Sequence, residues 1–116
     1  RVMTTEASWI RITAIVRPQR MDQICDDLAE LGVGGVTVSE VEGVGQQRGY
    51  STLRSGAWYQ SASHPKVQIE TIVAADDADR VVALVTSNAA TGEMGDGKIW
   101  LEPVLQVVSI REEGGS

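Results

Sequence analysis

The eight residues Thr91-Gly-Glu-Met-Gly-Asp-Gly-Lys98 hold the densest chemistry in the chain. Three glycines let a backbone come close to a ligand and offer its N–H groups to phosphate oxygens, and a terminal lysine adds positive charge. The spacing to Lys98 and the absence of a Ser or Thr after it exclude a Walker-type phosphate loop. Taken alone, an ordinary glycine-rich turn is the simpler explanation. Arg17 and Arg111 each end an apolar run, and Lys66 opens one. All three can line an anion site, and each by itself reads as a solvated cation. Tyr50, Trp58 and Tyr59 lie in polar sequence, which suits partner contact and local packing equally.

The other chemistry-bearing residues do not assemble into an enzyme. His64 has no Ser, Cys or second His placed to make a nucleophilic set. The acid pairs Asp26/Asp27, Asp76/Asp77 and Glu112/Glu113 read as a solvated helix face, a helix start and a tail, not as an acid–base couple. Cys25 is the only cysteine, so no intrachain disulfide forms; its place in a helical apolar pattern makes it a small core residue. One Cys and one His do not make a zinc site, and no metal centre is expected.

The net charge of −6 argues against nucleic acid as a partner, which demands a basic face. A length of 116 residues bounds the chain to a single domain, 1–116. No apolar run is as long as a membrane span, and residues 1–8 lack the apolar core of a signal peptide. The expected location is therefore cytoplasmic. Residues 1–8 and 112–116 are expected to be disordered.

These residues need elements to position them. Residues 9–16 are β-branched and partly alternating, so they predict a strand that Pro18 ends. Met21, Ile24, Cys25, Leu28 and Leu31 recur at helical spacing over 20–31, with Gly32 as the stop. Residues 35–41 read as a second strand and 66–74 as a third. Between them, 43–65 show no sustained period and predict a long loop, a length that is usually functional or disordered. Asp76 and Asp77 offer N-cap oxygens to a helix running to about Ala90. Residues 98–102 and 104–110 read as short strands around Pro103. Two strand–helix–strand halves predict an α+β, ferredoxin-like βαββαβ sandwich with helices on one face of an antiparallel sheet. The other face has no layer to cover it, so oligomerisation through that face is expected.

Four segments together resemble one family. Ala-Ile-Val-Arg-Pro at 14–18, Gly-Val-Thr-Val-Ser-Glu-Val-Glu-Gly-Val-Gly at 35–45, Pro-Lys-Val-Gln-Ile-Glu at 65–70 and Thr-Gly-Glu-Met-Gly-Asp-Gly-Lys-Ile-Trp at 91–100 are similar, in order, to PII nitrogen regulatory signal-transduction proteins. The resemblance covers about Ile10 to Arg111. It implies a compact homotrimer that binds ADP, AMP or ATP in clefts between subunits and regulates a membrane transporter or an enzyme through a mobile T-loop at about 43–65. It implies backbone contacts to phosphate from Gly95, Asp96 and Gly97, phosphate charge neutralised by Lys98 and Arg111, and the adenine and ribose held by Gly35, Thr37 and the backbone near Gly45. Gln47 matches the position that supports Mg²⁺-ATP and 2-oxoglutarate, Lys66 the one that pairs with a 2-oxoglutarate carboxylate, and Tyr59 a tyrosine that some members uridylylate.

Gln46 and Ser109 stand where the family often has arginines associated with the terminal phosphates of ATP. Losing two cations there weakens ATP more than ADP or AMP. The segment Arg54-Ser-Gly-Ala-Trp-Tyr59 also departs from the family pattern. These departures fit a diverged PII-like sensor, for instance of inorganic carbon with bicarbonate as effector, as the alternative to a nitrogen regulator. A slow nucleotide hydrolase and a ligand-free assembly trimer are the readings from other classes.

Overall fold

The computed structural model describes residues 8–46 and 61–111. Four strands and two helices follow one another as β1 (Trp9–Val16), α1 (Met21–Leu31), β2 (Thr37–Gln46), β3 (Ser61–Ala74), α2 (Ala78–Ala89) and β4 (Lys98–Val104). The sheet order is β2-β3-β1-β4 with every neighbouring pair antiparallel, which is the ferredoxin-like α+β arrangement.

Strand parity divides the sheet into two faces. Ile12, Ala14 and Val16 of β1 lie beside Thr71, Ile69 and Val67 of β3 and are buried under the helices. From α1, Ile24 and Leu28 enter this layer; from α2, Val81 and Val85 do. Burying side chains of this size stabilises by about 1.5–3 kcal/mol each. The helices are also linked by Asn88, whose Nδ2 donates to Asp27 Oδ2 at 3.1 Å. Gly32 closes α1 at φ 103°, and Val33 N–H reaches back to the Leu28 carbonyl at 3.0 Å. This is the stop that the sequence predicted. Cys25, expected in the core, is only half-buried on α1 and stands outside the core cluster; burial and then the Asp22 and Asp26 carboxylates push its thiol pKa up.

The structure revises four expectations. The loop placed at about 43–65 is shorter: β2 continues to Gln46 and β3 begins at Ser61, with 47–60 outside the described residues. Pro65 is tolerated in β3 because β1 ends at Val16, opposite Val67, so no ladder bond toward β1 is lost. Pro103 likewise sits within β4, an edge strand, instead of separating two strands. Residues 105–110 form no strand. Asp77 makes no side-chain cap at the start of α2; a 3-10 turn, Ala75–Asp77, precedes the helix, and the Asp77 carboxylate pairs with Arg80.

Candidate functional site

The turn from α2 to β4 rests on the end of β1. Gly92, Gly95 and Gly97 have φ of 86°, 95° and 112°, in the left-handed region that favours glycine. A Cβ on Gly97 would stand 1.8 Å from the Ile15 carbonyl oxygen, so only a glycine lets the turn lie this close. Asp96 organises the inside of the turn. Its Oδ2 accepts from the backbone N–H of Thr91 (2.7 Å) and Gly92 (2.8 Å), and its Oδ1 accepts from Thr91 Oγ1 (2.5 Å) and from Arg17 Nη1. The Thr91 hydroxyl and N–H, and then Arg17, hold the Asp96 carboxyl well below the usual carboxylate range.

Two cations brace the turn from neighbouring strands. Arg17, just past β1, donates Nη2 to the Met94 carbonyl at 2.9 Å. Lys66, on β3, donates Nζ to the Gly95 carbonyl at 2.6 Å. Lys98, the first residue of β4, lies opposite Ile15 and makes no ion pair with another described residue. By strand parity Lys66 and Lys98 share the face of the sheet that no described element covers, the uncovered face, at its Arg17 end. The N–H groups of Gly95, Asp96 and Gly97 bond to no other described residue outside the sheet ladder. Unpartnered N–H groups beside lysines make an anion receptor.

The remaining expected site residues are spread more widely. Thr37 opens β2 opposite Glu70, and the Gly35 carbonyl accepts the Thr71 hydroxyl at 2.6 Å. Glu70 is four residues from Lys66 on β3, about 13 Å at the usual strand rise. Thr37 therefore shares this face with Lys66 but lies level with Thr13, in the middle of β1. Gly45 lies in β2 opposite Ala62. Arg111 is exposed beyond the 105–110 segment. Gln47 and Tyr59 lie outside the described residues, as do Tyr50 and Trp58.

Sequence reasoning left Arg17 between a phosphate-lining cation and a solvated arginine and missed its bond to Asp96; its position directly after a strand was the only signal. It also missed Arg11, which pairs with Glu102 at 2.7 Å and lies 3.8 Å from Glu70 in the middle of the uncovered face.

Comparison with known proteins agrees with this geometry. The family model described as nitrogen regulatory protein P-II matches residues 10–114. The nitrogen regulatory protein P-II of Klebsiella oxytoca is 43% identical over 101 residues, 87% of this chain and 90% of the relative. Among solved structures, the B. subtilis GlnK–ATP complex superposes with a TM-score of 0.71 at 25% identity, covering 87% of this chain and 85% of that one. Arabidopsis thaliana PII bound to citrate gives a TM-score of 0.70 at 33% identity, covering 90% and 85%. The order of the strands, the glycine turn braced by lysine and arginine, and these matches along nearly the whole length agree: the chain belongs to the P-II family of nitrogen regulatory signal-transduction proteins.

Proposed function

We propose that the protein binds an adenine nucleotide in clefts between the subunits of a homotrimer, acts in the cytoplasm, and reports the bound state to a membrane transporter or an enzyme through its T-loop. The observation that carries this reading is the Gly95–Gly97 turn, with its unpartnered N–H groups and with Lys66 and Lys98 at the same end of an uncovered sheet face. The ATP complex of a related GlnK supports a nucleotide as the anion. In this reading Gly95, Asp96 and Gly97 hold phosphates through the backbone, and Lys98 and Arg111 neutralise them. Gly35, Thr37 and the backbone near Gly45 hold the adenine and ribose. The exposed Trp9, Ile72 and Trp100 on the same face support its burial against a second copy, which would complete the cleft.

Citrate bound to a related PII supports a small carboxylate as second ligand, with Lys66 as its cation. Gln47 would hold this effector, 2-oxoglutarate or bicarbonate, at the loop base together with any Mg²⁺ that accompanies ATP. Gln46 and Ser109 favour ADP or AMP over ATP, because the third phosphate brings charge without partners. Tyr59 is the position for uridylylation. Signalling then follows from differential affinity: a ligand that prefers one loop conformation raises its population.

Calorimetric titration with ATP, ADP and AMP, each with and without 2-oxoglutarate or bicarbonate, tests the proposal. ADP or AMP is expected to bind at least as tightly as ATP. ATP binding that is much tighter and needs 2-oxoglutarate would contradict the diverged preference, and no binding of any nucleotide would contradict the sensor itself.

A further inference from the structure

A carboxylate within an anion receptor is a problem of charge. Asp96 sits in the turn whose backbone is to hold phosphates, and a free carboxylate there would oppose them. Its four contacts resolve the problem. Oδ2 is taken by the N–H groups of Thr91 and Gly92, and Oδ1 by the Thr91 hydroxyl and Arg17 Nη1. Arg17 is engaged in turn, with its other terminal nitrogen on the Met94 carbonyl. The Thr91 hydroxyl also accepts from Glu93 N–H at 3.1 Å. Asp96 thus holds the near arm of the turn, 91–92, and Arg17 holds the far arm at 94 and 96. Both are tied to the end of β1.

We infer that the Asp96 carboxylate and the Arg17 guanidinium are positioning groups rather than ligand contacts: together they form a neutral strut that shapes the turn before a ligand arrives and sets the backbone N–H groups of Gly95, Asp96 and Gly97 to receive it. With Asp96 matched by Arg17, the local charge that attracts an anion is left to Lys66 and Lys98. The ligand side of this inference rests on the nucleotide reading above. The strut itself belongs to the ligand-free chain.

Two readouts on Asp96→Asn, Arg17→Met and the double variant separate these parts. Asparagine keeps the shape but turns an NH₂ group toward donors, so the Thr91 and Gly92 bonds cannot all survive. In nucleotide-free protein, amide exchange at Thr91 and Gly92 is expected to speed up about tenfold or more in Asp96→Asn, with β1 and β3 amides unchanged. Calorimetry is expected to show ADP and ATP weakened by a similar factor, about tenfold, whether Mg²⁺ or a chelator is present. The double variant should lose no more than the worse single one, because both remove the same strut.

Unchanged exchange at Thr91 and Gly92 in Asp96→Asn would overturn the strut. Tighter ADP binding by that variant would show the carboxylate acting only as a repulsive charge, and a loss seen only with Mg²⁺ would make it a metal contact; either result overturns the positioning role. Wild-type protein that binds no nucleotide would sink the functional reading, while the exchange experiment would still decide whether the strut exists.

Discussion

At Gly97 a single methyl group decides whether the turn can touch β1. The Cβ of an alanine would meet the Ile15 carbonyl oxygen at 1.8 Å, which backbone cannot yield without the whole turn lifting. Gly92 provides the control, with φ 86° but open space around its Cβ position. Gly92→Ala is expected to cost only the left-handed strain, roughly 1–2 kcal/mol. Gly97→Ala is expected to cost more than Gly92→Ala and to abolish nucleotide binding, as thermal melts and titrations of the two variants will show. Asp96 adds a pH dependence. Its folded-state pKa is depressed, first by Thr91 and then by Arg17, so its stabilising contribution is present above about pH 4 and lost as the pH falls through the folded value. The melting-temperature gap between wild type and Asp96→Asn should therefore be widest near neutral pH and close on acidification. The glycines and Lys98 were legible in the sequence because backbone freedom and charge are local properties. The Arg17–Asp96 pair was not, since it joins residues 79 apart that meet only once β1 lies beside the turn.

The elements were legible where one face of a segment is buried. In α1 the buried Ile24 and Leu28 and the Gly32 stop agree with the apolar spacing, while Leu31 at its end is exposed, and Leu28→Ala is expected to cost about 2–5 kcal/mol in chemical denaturation. Pattern failed where pairing decides. Residues 104–110 have the β-branched composition of a strand, but no described strand lies beside residues 105–110, so alternation alone did not produce one. Pro65 and Pro103 looked like boundaries and are not, because each stands where one side of its strand is free. The Arg11–Glu102 pair joins β1 to β4 on a half-exposed face, where such pairs are worth little. Arg11→Met is expected to change stability by no more than about 1 kcal/mol when the face is open to solvent, as measured at dilutions that favour the single chain.

For the whole molecule the central fact is a sheet of which the described residues cover only one face. The helices bury the side of Ile12, Ala14 and Val16, while Trp9, Ile72 and Trp100 stand about 40% exposed on the other. Leu105, Val108 and Ile110 beyond β4 are more exposed still. Exposed apolar surface of this extent fits the proposed assembly of several copies through this face. In the proposed clefts a nucleotide would touch two copies of this face, so assembly and nucleotide binding would be one event. Native mass spectrometry with increasing ADP decides whether they are. A three-chain species that takes up as many as three ADP is expected, with no nucleotide on free single chains. Single chains that bind ADP as well as the assembly does, or an assembled species that takes up none, would contradict this coupling.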